Sequence, residues 1–203
     1  MAAVSRRATP LAPEARRASI VAATLPLLRR YGANVTTAQI ALAAGVAEGT
    51  LFRAFADKDT LIAAAIETAF DPKPTELQLS RIDQALPLRD KLIAAVEILQ
   101  HRVDSVWQLM MVLGRTAPPR PDPKRDIKDY HRDDGLRRAV EVLLEPHTDE
   151  LRYEPIQVAR FLRMFTFAAT HPRIADGQPL TSAEIVAVVL DGSRTRTDIE
   201  DLA

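Results

Sequence analysis

Apolar residues in this chain return every three to four positions, the period of a helix buried along one side, and no segment shows the period of two that marks a half-buried strand. The pattern predicts a first helix over 13–31, with Ile20, Ala23, Leu27, Leu28 and Tyr31 on one face. Pro26 removes a backbone donor and should bend it near Ala22, and Gly32 stops it. Thr36 or Thr37 caps a short second helix reaching Ala44, Gly45 turns the chain, and a third short helix runs from Ala47 to Ala54. Asp57 caps a fourth, with Leu61, Ile62, Ala65, Ile66, Ala69 and Phe70 as its apolar stripe. Asp71-Pro72-Lys73-Pro74 ends that helix or bends the chain sharply, and so separates an N-terminal head from a body.

In the body, Leu92, Val96, Leu99, Val103, Val106, Met110 and Leu113 draw one seam down a long helix over 88–115. Pro118 to Pro123 cannot be helical. Helices near 127–145 and 155–170 follow. The latter is apolar on two sides: Val158, Phe161, Leu162, Phe165 and Ala169 line one, while Ile156, Met164 and Phe167 lean toward the other. Burial on two sides is implied, within one core or between subunits. A last helix opens with the capping box Thr181 to Glu184 and ends near Gly192, with a frayed tail at Arg194–Thr197. The fold class is therefore all-α.

Composition adds little beyond a soluble globular class. No run approaches the ~20 apolar residues of a membrane span, and the absence of cysteine rules out disulfides and thiol chemistry. Charge is more informative. The net charge is zero, yet residues 1–60 hold eight Lys/Arg against four acids, while the remainder is acidic by four. A basic head on an acidic body points to a polyanion at one end, although a solvated basic face gives the same excess.

The segment that carries chemistry is Thr36 to Phe55. Ile40, Ala41, Ala44, Val46, Leu51 and Phe55 are spaced to face a small core shared with the flanking helices. Thr37, Gln39, Glu48, Gly49, Thr50 and Arg53 are left pointing outward. A narrow, small and polar helix face is what enters a major groove ~12 Å wide. Gly49 and Thr50 permit close approach, Arg53 can reach a phosphate or a guanine edge, and the N-terminus of the second helix and Lys58 can meet phosphates.

These residues, with Ala22-Ala23, Tyr31-Gly32, Thr36-Thr37, Ile40-Ala41, Ala44-Gly45-Val46, Gly49-Thr50-Leu51-Phe52, Phe55, Lys58 and Leu61, resemble the DNA-binding domain of the tetracycline-repressor (TetR) family over roughly residues 14–66. Two positions depart from the usual pattern. Ala47 stands where Ser is common, which removes a side-chain cap, and Phe52 stands where Tyr is usual, which removes a phenol–phosphate contact that Arg53 can supply instead.

The resemblance implies a three-helix helix-turn-helix DNA-binding head (13–71, reader 36–55), joined by a fourth helix to a helical-bundle body (75–203) for dimerisation and effector binding. It implies a bacterial, cytoplasmic homodimer on a roughly palindromic double-stranded operator, with half-sites about one turn (~34 Å) apart or somewhat more. The DNA-contacting set becomes Thr36, Thr37, Gln39, Ala47, Glu48, Gly49, Thr50, Phe52, Arg53 and Lys58. Arg6, Arg7, Arg16 and Arg17 are either a flexible arm along the backbone or minor groove, or a solvated basic tail.

A small-molecule effector is expected near Trp107, Met110, Met111, Phe161 and Phe165, with Arg102 or His131 as polar contacts; ordinary core is the competing reading for each. The interface is expected at Ile156, Met164, Phe167, Val186, Val189 and Leu190. No cofactor, catalytic set or metal is expected. Asp129-Tyr130-His131-Arg132-Asp133-Asp134 reads as a solvated helix start rather than a metal site, and no Walker loop, dinucleotide glycine pattern, nucleophile elbow or HExxH helix occurs. Three readings remain: a ligand-responsive repressor, a DNA-binding regulator without an effector, and a helical binder or enzyme with a vestigial head.

Overall fold

The computed structural model describes residues 12–114 and 135–193 of the 203-residue chain, and among them there is no β-strand. The elements are α1 (Pro13–Tyr31), a 3-10 turn (Gly32–Asn34), α2 (Thr37–Ala44), α3 (Glu48–Ala54), α4 (Lys58–Phe70), α5 (Lys73–Leu79), α6 (Leu88–Val112), α7 (Gly135–Leu144), a second 3-10 segment (Glu145–Glu150), α8 (Pro155–Thr170) and α9 (Ser182–Ser193). The expected loop at Pro118–Pro123, the segment Asp129–Asp134, and the tail Arg194–Thr197 lie outside the described residues. None of the helices described is long and apolar enough to cross a membrane.

Two compact units are formed by the described residues: 12–70 with 108–114, and 71–107 with 135–193. The core of the first is built from Ile20, Val21, Leu28, Val35, Ile40, Ala41, Leu51, Phe55, Leu61, Ala65 and Leu109. Helix α1 runs unbroken through Pro26; both Pro26 and Ala22, whose carbonyl loses its donor, are exposed, so water can replace the missing bond. Its buried row is Ile20, Val21, Thr24 and Leu28, with Ala23, Leu27 and Tyr31 half-buried. The buried Thr24 hydroxyl donates to the Ile20 carbonyl at 2.8 Å.

Gly32 has φ 59° and ψ −141°, a backbone setting essentially reserved for glycine, and a Cβ there would lie 2.6 Å from the carbonyl oxygen of Val112. The last turn of the long helix α6 thus belongs with the head, where Leu109 is fully buried, whereas the sequence pattern had assigned that whole helix to the body.

The second unit holds the larger core, made by Leu79, Leu88, Leu92, Val96 and Leu99 with Val140, Leu143, Leu144, Val158, Leu162, Ile185, Val186 and Leu190. Helix α5 was not anticipated. Asp71-Pro72-Lys73-Pro74 does end α4, but it also begins α5: Asp71 Oδ1 accepts the Lys73 N–H at 3.0 Å, and Pro74 sits in the first turn, where its missing donor costs nothing. The expected interface residues Val186, Val189 and Leu190 are corrected here. They are buried in this core, and it is Val188 that faces outward from α9. Phe161 also changes sides: it is exposed with Ile156, Met164 and Phe167 rather than packed with Val158 and Leu162.

Candidate nucleic-acid interface

Helix α2 begins with a complete capping box. The Thr36 hydroxyl accepts the Gln39 N–H at 3.2 Å, and the Gln39 side-chain oxygen accepts the Thr36 N–H at 2.9 Å. Two groups that the sequence offered to DNA therefore also hold the helix start. Helix α2 ends at Gly45 in the left-handed conformation (φ 65°, ψ 32°), where the Gly45 and Val46 amides return to carbonyls of the last turn. That turn sets the angle at which α3 leaves. Ala47 caps α3 without any side-chain hydrogen bond, so the first turn relies on the Ala47 carbonyl, which accepts the Thr50 N–H at 2.8 Å, and on the Glu48 carboxylate near the helix dipole.

Helix α3 buries Leu51, followed by Phe55 just beyond its end, and leaves Glu48, Gly49, Phe52 and Arg53 exposed, with Thr50 half-buried. A Cβ on Gly49 would meet nothing within 4 Å, and its φ lies outside the left-handed range. Neither packing nor backbone conformation within this unit requires glycine there. The helix backbone is therefore open to solvent at this point. The first turns of the two helices are tied by the Thr37 hydroxyl, which donates to Glu48 Oε1 and turns that carboxylate toward α2.

Two basic residues are placed otherwise than expected. Arg17 is not part of a flexible arm: its guanidinium donates to the Ala54 carbonyl at the end of α3 and lies 4.0 Å over the Phe55 ring. Lys58 donates to the Ala33 carbonyl at 2.9 Å and so fastens the turn after α1 to α4. Both contacts stabilise the helix-turn-helix segment. Arg16 is half-buried in the first turn of α1, whereas Arg6 and Arg7 lie outside the described residues.

The start of α4 is capped as expected. Asp57 Oδ1 accepts the Thr60 N–H at 2.7 Å, and that bond, with further help from the Thr60 hydroxyl, holds the Asp57 carboxyl below the usual carboxylate range.

The candidate effector residues fall in different settings. Met110 is buried in the first unit and Met111 is exposed. Phe161 is exposed, Phe165 packs on the body core, and Trp107 meets the ring of His171 edge-on at 4.1 Å. Arg102 donates to the Asp71 carbonyl at 2.9 Å, and His131 lies outside the described residues. An open groove of about 380 Å³ is lined by Gln78, Arg81, Glu97, Ile98 and His101, none of them anticipated.

Comparison with known proteins agrees with this geometry. Residues 20–65 match the model of the bacterial regulatory proteins of the tetR family. That span holds α2, the Gly45 turn and α3 with most of α1 and α4. A solved structure assigned to the TetR family of transcriptional regulators, from Mesorhizobium loti, superposes with a TM-score of 0.60 at 15% identity, over 92% of this chain and 100% of its own. A TetR-family transcriptional regulator from Haemophilus influenzae gives 0.54 at 14% identity, again over 92% and 100%. A transcriptional regulator from Rhodococcus gives 0.55 at 18% identity with the same coverage. At these identities the likeness is one of fold. No curated protein is significantly similar in sequence. Residues 20–65 are thus similar to the bacterial regulatory proteins of the tetR family, and the chain as a whole shares the fold of the solved TetR-family structures.

Proposed function

We propose that the chain is a DNA-binding repressor that acts as a homodimer on a palindromic operator and is released from it by a small-molecule effector. The observation that carries this reading is the outward side of α3: Glu48, Gly49, Phe52 and Arg53 are exposed on a helix whose inward residues are locked in a core. Gly49 lets the helix backbone approach base edges, Arg53 supplies the cation, and Phe52 offers apolar contact to a thymine methyl. Glu48, whose Oε1 already accepts from Thr37, offers its other oxygen to a cytosine amine. In this reading the DNA-binding domain comprises residues 13–71 together with the last turn of α6, and the remainder carries dimerisation and effector binding.

The dimer rests on α8. Ile156, Phe161, Met164 and Phe167 there, with Val188 of α9, are large apolar side chains left uncovered, Met164 at 59% and Phe167 at 50% exposure. A row of this kind on a soluble regulator is suited to a second copy of itself across a two-fold axis. Met164→Glu with Phe167→Glu is expected to yield monomers in sedimentation, and persistent dimers would move the interface elsewhere.

The test of the whole reading is selection of bound genomic fragments, followed by fluorescence-anisotropy titration on the selected site. Arg53→Ala should weaken binding at least tenfold and lower the salt slope by about one. An affinity indifferent to salt, or no selected site at all, overturns the proposal.

A further inference from the structure

The residue that opens α3, on the side proposed to meet DNA, is an acid. Glu48 is the only charged residue between Arg30 and Arg53 in the sequence. It is exposed, and it enters none of the ion pairs found among the described residues. A carboxylate only accepts hydrogen bonds, so a phosphate repels it and offers it no proton. An acid at this place weakens binding to every duplex alike unless a base amine answers it.

One bond sets Glu48 apart from an ordinary solvated acid. The hydroxyl of Thr37, in the first turn of α2, donates to Glu48 Oε1. The neighbouring hydroxyl has a different task, since Thr36 accepts the Gln39 N–H and caps α2. Thr37 is half-buried on a helix anchored in the core by Ile40 and Ala41. It therefore offers Glu48 a fixed point. A surface glutamate turns freely about its side-chain bonds, and ordering it on binding costs affinity. The bond from Thr37 removes part of that freedom before DNA arrives.

The same bond limits what the carboxylate can read. With Oε1 engaged, Oε2 is the acceptor left for a base. A single acceptor matches cytosine, which presents its N4 amine alone in the major groove. Beside the adenine amine stands N7, a further acceptor that repels a carboxylate.

We infer that Thr37 is a positioning residue for base selection: its hydroxyl holds Glu48 so that the carboxylate prefers a cytosine in the half-site. Thr37 sets that preference without touching the base. The inference rests on the DNA-binding reading above and adds to it the origin of one base preference.

The full-length protein is titrated by fluorescence anisotropy on its selected operator and on duplexes in which each C·G pair of the half-site becomes T·A in turn. Thymine carries an acceptor where cytosine carries the amine. At one such pair the wild type should lose affinity about tenfold or more. Glu48→Ala should erase that ratio and yet bind an unrelated duplex more tightly, because a repelled charge is gone. Thr37→Val keeps the shape and the acid, and should shrink the ratio at the same pair about threefold or more. Thr37→Ser keeps the hydroxyl and should restore it. In the Glu48→Ala background, Thr37→Val should alter no ratio.

A purely structural Thr37 would instead lower affinity for all duplexes equally. That result, an unchanged ratio in Thr37→Val, a ratio that survives Glu48→Ala, or a wild type without cytosine preference overturns the inference and leaves the DNA-binding reading standing. Failure to select any duplex, or binding indifferent to salt, overturns both.

Discussion

The guanidinium of Arg17 lies 4.0 Å over the ring of Phe55, and the same group donates a hydrogen bond to the Ala54 carbonyl, so one side chain from α1 closes the C-terminal end of the reader helix. Helix α3 has only seven residues, too few to be stable alone, and its start lacks a side-chain cap. Its orientation is therefore imposed by neighbours. Arg17→Ala is expected to cost about 1 kcal/mol in urea denaturation, from the lost cation–π and carbonyl contacts, and to weaken DNA binding several-fold without changing operator preference. Arg17→Lys should restore stability only in part, since an ammonium cannot stack on the ring as a planar guanidinium does. An Arg17→Ala protein with wild-type stability and altered base preference would show that Arg17 reads DNA directly.

Gly49 offers a test in which stability and function move in opposite directions. Alanine is favoured over glycine inside a helix by about 1 kcal/mol, and a Cβ at this position meets nothing within 4 Å. Gly49→Ala should raise the melting temperature and lower operator affinity. A gain in both would mean that the groove does not approach this residue.

Gly32 and Gly45 both have positive φ, yet they should respond differently to alanine. At Gly45 a Cβ meets nothing within 4 Å, so Gly45→Ala carries only the left-handed backbone penalty of about 1 kcal/mol. At Gly32 it would lie 2.6 Å from the Val112 carbonyl oxygen, which is backbone and cannot swing aside. Gly32→Ala should therefore cost about 3 kcal/mol or more. Equal destabilisation in chemical denaturation would remove the assigned contact with α6.

In the body, Lys91 is buried, and its ammonium stands 3.3 Å from His147 Nε2. An ammonium can only donate, so Nε2 accepts and the ring proton resides on Nδ1, which donates to Glu150 at 2.8 Å. His147→Ala leaves the ammonium without that acceptor and should cost about 2–3 kcal/mol. Lys91→Met, which removes the charge while keeping the stem, should be better tolerated. The reverse order, measured by thermal unfolding at constant pH, would contradict a chain of bonds through His147.

Acid stability should carry the signature of Asp57. The bonds from Thr60 lower its pKa in the folded protein, so its contribution is present above the unfolded carboxylate value and is lost as pH falls through the depressed folded value. Asp57→Asn should lower the melting temperature at neutral pH, with the difference from wild type shrinking as the solution is acidified below the ordinary aspartate range. A difference constant down to strongly acidic pH would assign the cap no charge.

Much of the head could be read from local chemistry alone. The extent of α1, the Thr36 and Asp57 caps, the left-handed Gly45 and the buried set Ile40, Ala41, Leu51 and Phe55 each follow from rules that act within a few residues. Helix α5 was missed because Asp71-Pro72-Lys73-Pro74 serves both as a stop and as a start, and periodicity cannot show a seven-residue helix between two prolines. The candidate effector residues were chosen on a different basis. Aromatic and methionine residues were grouped by type, although Met110 and Phe161 lie in different units.

What the sequence by itself determined is the set of helices and the inward side of most of them, because side-chain period, capping groups and glycine turns operate over a single turn of backbone. What only the tertiary structure decided is which polar side chains also bond within the protein. Arg17, Gln39 and Lys58 are DNA-contact candidates by type, and only the folded structure shows that each also bonds a carbonyl or an amide of the protein itself. Likewise Thr37 and Glu48 show no unusual spacing, and their bond emerges only once the Gly45 turn has brought the first turns of two separate helices together.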